Sequence, residues 1–135
     1  MKTPKVYFTD TGLLCYLAGI REARHAAAGP MAGAIAETAA VVEVLKSFWH
    51  RGAEPRLYFW RTATGDEVDL LVETPAGLVP LEIKATATPS PAMARGIRKF
   101  RETAPAAWTR GFVIHTGTVT LPLGDGIVAL PFSNL

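Results

Sequence analysis

The chain has 135 residues, of which 49% are apolar and 19% charged, with a formal net charge of +2. That length suits one domain, or one domain plus a fragment, and so small a charge does not by itself mark a nucleic-acid binder. The single Cys15 excludes an internal disulfide and a multi-cysteine zinc site, and no apolar run reaches the ~20 residues a membrane span needs, so a cytoplasmic location with no membrane partner is expected.

In chain order, Lys5-Val6-Tyr7-Phe8 reads as a short strand. Thr9-Asp10-Thr11 offers an N-cap, and Leu13, Leu14 and Leu17 carry helical spacing as far as Gly19, a C-cap. Residues 20–30, with Gly29 and Pro30, read as a loop. Residues 1–20 therefore form a leading strand–helix unit, the remnant of a preceding region, and 21–135 the main domain.

The main domain opens with a long helix over about Met31–Arg51, ended by Gly52. Strands follow over Arg56–Arg61, Glu67–Glu73 and Leu78–Lys84, separated by turns at Thr64-Gly65-Asp66 and Pro75-Ala76-Gly77, which implies antiparallel hairpins. After a loop at 85–91, about Ala92–Thr103 is a helix with Met93, Ile97 and Phe100 on one face. Trp108–His115 and Ile127–Leu130 are further strands. A helix between the third and fourth strands suggests a parallel crossover, giving a mixed sheet flanked by helices, an α/β domain.

Candidate chemistry sits on three of these elements. Glu37, Val41, Val44 and Phe48 fall on one stripe of the first long helix, so Glu37 lies in line with residues that should be buried, where a carboxylate is costly unless paired or metal-bound. The plain alternative is a partly exposed residue whose charge suits the helix start. On the second strand, the two-residue period puts residues 67, 69, 71 and 73 on one face, and Asp69 stands among apolar residues where Asp is a poor strand former. On the third, Glu82 and Lys84 share a face opposite Leu81 and Ile83; an isolated Glu-x-Lys is ordinarily just a same-face ion pair. Taken together, carboxylates converging from a helix and two neighbouring strands would repel one another unless a cation lay between them. A hard divalent ion such as Mg²⁺ or Mn²⁺ takes such oxygens, polarises a phosphate and acidifies a bound water, while Lys84 would orient that water or offset developing charge.

Asp69, Glu82 and Lys84 on the strands and Glu37 on the helix resemble the metal site of the PD-(D/E)XK nuclease superfamily, and the element order over roughly residues 31–115 matches its restriction-endonuclease-like fold. Val68 stands where that superfamily's motif has Pro. A longer resemblance runs through Val6-Tyr7-Phe8-Thr9-Asp10-Thr11-Gly12-Leu13-Leu14, Gly33-Ala34-Ile35-Ala36-Glu37, Tyr58-Phe59-Trp60-Arg61, Asp66-Glu67-Val68-Asp69 and Leu81-Glu82-Ile83-Lys84. These phrases are similar to the C-terminal domain of unknown function of prokaryotic AAA-type ATPases. The resemblance implies that an ATPase region of the same protein precedes this segment. The segment has no phosphate-binding loop of its own, so no ATP site is expected in it.

Arg95, Arg98, Lys99 and Arg101 crowd the second long helix, and Arg51, Arg56 and Arg61 the first hairpin. Arg61, Arg95, Arg98 and Lys99 are the candidates for holding phosphates, against the plain alternative of a solvated face. Tyr58, Phe59 and Trp60 are candidates for stacking on bases, for core or for an interface with the ATPase region, and His25, His50 and His115 read as incidental. The first expectation is thus a metal-dependent deoxyribonuclease-like domain. Its rivals are a catalytically inactive nuclease-fold module recognising DNA or protein, and an oligomerising domain that docks through residues 1–20.

Overall fold

The structure, a computed structural model, describes residues 4–135. Four helices, α1 (Thr11–Leu17), α2 (Ala23–Ala28), α3 (Ala32–His50) and α4 (Arg95–Thr103), accompany strands β1 (Leu57–Arg61), β2 (Glu67–Thr74), β3 (Gly77–Lys84), β4 (Gly111–His115), β5 (Leu121–Gly124) and β6 (Ile127–Pro131). The strands form one six-stranded mixed sheet in the order β1-β2-β3-β4-β6-β5. β1–β2–β3 is an antiparallel meander; β3, β4 and β6 run parallel; β5 returns antiparallel along β6.

Each face of the sheet carries one long helix. On one face Ile97 and Phe100 of α4 bury against Val68, Leu71, Val113, Ile127 and Ala129, with Trp60 set edge-on to Phe100 at 5.6 Å. On the other, Ala40, Val41, Val44 and Phe48 of α3 cover Leu70, Val72, Leu81, Ile83 and Ile114. The apolar stripes expected on both helices are therefore the packed ones, and this burial is the main stabilising term.

Four expectations need correction. Lys5–Phe8 is neither helix nor strand; its backbone joins no ladder, and its side chains are what meet the domain. The segment expected as a loop over 20–30 contains α2, in keeping with the helix propensity of its alanines. β5 was not among the expected strands; Pro122 lies inside it, and as the outermost strand it has no neighbour on its outer side to miss the N–H. The fourth strand begins at Gly111 rather than Trp108, which contributes only an isolated bridge to Leu78. Met1–Thr3 of the expected 1–20 leading unit lie outside the described residues. Within the rest of it, Asp10 caps α1 by accepting from the Leu13 N–H at 2.8 Å, as its sequence suggests.

Candidate functional site

The geometry of the site begins with an irregularity in β2. Tyr58 pairs with Leu71 and Trp60 with Val68, so two steps along β1 match three along β2. The extra residue falls at Asp69-Leu70, a β-bulge. Its effect is visible in the core: Val68 and Leu71 both face α4, whereas Leu70 and Val72 both face α3. The expected single face for residues 67, 69, 71 and 73 is thus wrong, because the bulge shifts the alternation by one residue. Leu71 joins the α4-side core while Asp69 turns toward α3.

The β2–β3 ladder also stops at the pair Leu70 and Leu81. One residue further on, Asp69 Oδ2 accepts the backbone N–H of Ile83 at 2.8 Å, taking the part a strand carbonyl would otherwise play. Asp69 is only 6% exposed. Burial drives its carboxyl above the ordinary range, and the Ile83 hydrogen bond only partly offsets this.

Glu82 lies across the sheet plane from this arrangement. Its strand alternation is regular, with Leu81 and Ile83 buried toward α3, so Glu82 and Lys84 face α4. Lys84 Nζ donates to Glu82 Oε1 at 2.6 Å, but Glu82 Oε2 is buried without any hydrogen-bond partner. Burial, reinforced by the neighbouring Asp69, pushes the Glu82 carboxyl up to about 7 despite its lysine partner. For Lys84, burial alone would lower the pKa; its hydrogen bond to Glu82 and the nearby Asp69 and Glu67 raise it, so it stays an ammonium. Gly96, in the first turn of α4, allows this crowding: a Cβ there would collide with the Glu67 carbonyl oxygen and come within 3.2 Å of Glu82 Oε2. Beside these atoms is a cleft of about 400 Å³ lined by Asp66, Glu67, Glu82, Lys84, Arg95 and Gly96, among others.

Glu37 sits on α3, on the other face. Its Oε1 accepts from Lys5 Nζ at 2.9 Å and from the Tyr7 hydroxyl at 2.6 Å. Lys5 Nζ is also 3.7 Å from Asp69 Oδ1. The expected four residues are thus held as two halves of one charged region, with no hydrogen bond or ion pair among the described residues joining Asp69 to Glu82 or Lys84. Glu82 and Lys84 open toward α4, and Asp69 and Glu37 toward the leading segment. Among the described residues, no three His, Cys, Asp or Glu side chains are grouped closely enough to cage a metal as they stand. Mg²⁺ commonly takes only one or two protein carboxylates and keeps waters, so the donor chemistry of Asp69 and Glu82 remains suitable, and the orphaned Glu82 oxygen is a free hard ligand.

The basic candidates divide. Arg95 lines the cleft and is largely exposed, with Asp66 at 3.1 Å; Arg61 is exposed at the end of β1, 3.7 Å from Glu67. Arg98 instead pins α4 to the β5–β6 turn, donating to Asp125 Oδ2, the Leu123 carbonyl and the Pro91 carbonyl. Lys99 pairs with Glu102 on its own helix. Of the aromatic candidates, Trp60 is core, while Tyr58 is half exposed and bonds Glu73.

Two roles were missed in the sequence. Lys5 and Tyr7 enter the network from a segment read as a strand, and nothing in their spacing pointed at Glu37. His115 is buried; Gly117 N–H donates to its Nδ1 at 3.0 Å and its Nε2 lies 2.9 Å from the Val119 carbonyl, so it staples the loop after β4.

Comparison with known proteins places the chain in a family. Residues 32–135 match the profile of the domain of unknown function DUF4143. The chain is 36% identical over 134 residues to uncharacterized protein Rv2008c of Mycobacterium tuberculosis and to uncharacterized protein Mb2031c of Mycobacterium bovis. Those alignments cover 99% of this chain and 29% of each relative, so the chain spans under a third of their length. No solved structure matches. The chain belongs to the DUF4143 family.

Proposed function

We propose that this domain is a divalent-metal-dependent nuclease-like domain acting on the phosphodiesters of DNA. The observation that carries the reading is Glu82: a buried carboxylate with one oxygen held by Lys84, the other unpartnered, and Asp69 close enough to raise its pKa. Burying an unsatisfied carboxyl oxygen is expensive, and such expense concentrates at functional sites. The succession of α3, an antiparallel meander, α4 and a parallel β4 supports a restriction-endonuclease-like arrangement.

Glu82, which lines the cleft, would be the first ligand of Mg²⁺ or Mn²⁺; Asp69, where the β2–β3 ladder ends, would have to turn from Ile83 and Lys5 to join it, with Glu37 supporting from α3. When bound, the ion would act as a Lewis acid on a phosphate oxygen and acidify a water. Lys84, kept cationic among Glu82, Asp69 and Glu67, supplies the positive charge that offsets charge developing on the phosphate. The cleft beside α4 is where a phosphodiester would lie, with Arg95 at its rim and Arg61 nearby exchanging Asp66 and Glu67 for phosphate oxygens. Arg98 plays little part in that contact, since its donors are committed to Asp125, Pro91 and Leu123, and Lys99, in an exposed pair with Glu102, does not line the cleft.

The domain would work as part of a longer, cytoplasmic protein whose remaining length includes an ATPase region, for which relatives over three times longer leave room. The described residues include no helix long and apolar enough to cross a membrane. A second reading, a recognition module without catalysis, is favoured by one observation: Lys5 already pairs with Glu37 and lies 3.7 Å from Asp69, where the cation would need to be.

The deciding experiment is cleavage of supercoiled plasmid and of single-stranded DNA with Mg²⁺ or Mn²⁺, with EDTA and Asp69→Ala as controls. Metal-dependent nicking that disappears in Asp69→Ala is the expected result. Folded protein that neither cuts DNA nor binds metal by calorimetry would leave the recognition module as the better reading.

A further inference from the structure

We propose that Lys5 is a tethered counter-ion for the Glu37–Asp69 half of the site, and that a divalent cation and the docked leading segment exclude one another there. This inference rests on the metal-centre reading above. Lys5 Nζ lies 2.9 Å from Glu37 Oε1 and 3.7 Å from Asp69 Oδ1, within reach of two of the three carboxylates that would serve the cation. Phe59 closes one side of the ammonium, its ring centroid 5.7 Å away. The Tyr7 hydroxyl fastens the same Glu37 oxygen, so two side chains of one short segment converge on it.

The segment itself is suited to release. Between Pro4 and Phe8 the chain is neither helix nor strand, and Val6 between the two anchors is 86% exposed. Lys5 and Tyr7 are the side chains that attach it to the charged network. With all three carboxylates ionised, they and the ammonium groups of Lys5 and Lys84 sum to one net negative charge around the site. Without Lys5 the same groups carry two, and a divalent cation is drawn more strongly to them. Metal binding to Asp69 and Glu37 would therefore weaken the hold on Lys5, and withdrawal of Lys5 would strengthen metal binding by the same factor, since coupling between two equilibria is reciprocal.

The test is Mn²⁺ binding by calorimetry to the 135-residue chain, comparing wild type, Lys5→Met, Lys5→Arg and Asp69→Asn, each first checked for a cooperative thermal transition. Lys5→Met is expected to bind Mn²⁺ ~10-fold more tightly than wild type, within the usual range of such couplings, and Lys5→Arg close to wild type. A second readout is brief chymotrypsin digestion, which Mn²⁺ should accelerate at Tyr7 and Phe8 in wild type. Equal or weaker binding by Lys5→Met, with binding lost in Asp69→Asn, overturns the counter-ion role and leaves the metal centre standing. Undiminished binding by Asp69→Asn overturns the metal centre and this inference with it.

Discussion

The two halves of the charged network are built from the same kinds of side chain and have opposite electrostatic fates. Toward the leading segment, Glu37 takes two donors, Lys5 and Tyr7, on Oε1 and stays a quarter exposed to water, and Asp69 is met by a backbone N–H and Lys5. Toward α4, Glu82 has one oxygen satisfied and one orphaned, with its pKa pushed up to about 7. The first half resembles a finished structural ion pair; the second resembles a site waiting for a ligand. A carboxylate's residue type therefore says little, and what reaches each of its oxygens says a good deal.

The largest expected effect falls on Asp69, which belongs to the leading-segment half and whose charge also helps raise the Glu82 pKa. Asp69→Asn keeps the acceptor for Ile83 N–H but removes the charge, and should cut metal-dependent DNA cleavage by about two to three orders of magnitude, measured as plasmid nicking rates. Retained cleavage would mean that the Glu82 half acts alone. Next is Gly96→Val, which puts a side chain against the Glu67 carbonyl and the orphaned Glu82 oxygen. It should cost about 1–3 kcal/mol in chemical denaturation, as overpacking does, and also block the cleft. A neutral outcome would show that α4 can stand off from β2 and β3.

A pH titration separates the halves further. Because folding raises the Glu82 pKa from its ordinary 4.5 to about 7, the folded state holds this proton more tightly than the unfolded state. The resulting stabilisation is full below about pH 4.5 and is lost as pH rises through about 7. The neighbours that set this behaviour are Asp69, shifted in the same direction, Lys84, which opposes it, and Glu67. In EDTA, Glu82→Gln should therefore flatten the fall in stability between about pH 5 and 8 without abolishing it, and gain about 1–3 kcal/mol at pH 8. Parallel curves for variant and wild type would show that water reaches the orphaned oxygen.

Much of this was legible from residues. The Glu37–Val41–Val44–Phe48 stripe, the Glu82–Lys84 face and the buried face of α4 follow from periodicities of 3.6 and 2, and each holds where its element is regular. What was not legible depends on departures from regularity or on contacts between distant segments. The bulge at Asp69-Leu70 has no glycine or proline to announce it, yet it decides which way Asp69 faces. Lys5 and Tyr7 reach Glu37 from 32 and 30 residues away. Arg98 looked like a phosphate ligand because its charge was visible and its acceptors, Asp125 and two carbonyls, were not. His115 looked incidental because its partners are backbone atoms of the loop it closes.

The smallest expected effect tests the satisfied half. Tyr7→Phe removes one hydroxyl and leaves the ring against the α3-side core and the Lys5–Glu37 pair in place. The loss should be about 0.5–1.5 kcal/mol, that of one hydrogen bond whose acceptor keeps another partner. Burial, followed by the Glu37 contact, holds the Tyr7 phenol far above its ordinary pKa, so it stays protonated and the cost should not vary between about pH 5 and 9. Glu82→Gln should thus stabilise and do so increasingly with pH, whereas Tyr7→Phe should destabilise by a constant amount. Were Tyr7→Phe neutral at every pH, the hydroxyl would contribute nothing, Lys5 would be the segment's sole polar hold on Glu37, and the contrast between a finished and an unfinished half would rest on one ion pair.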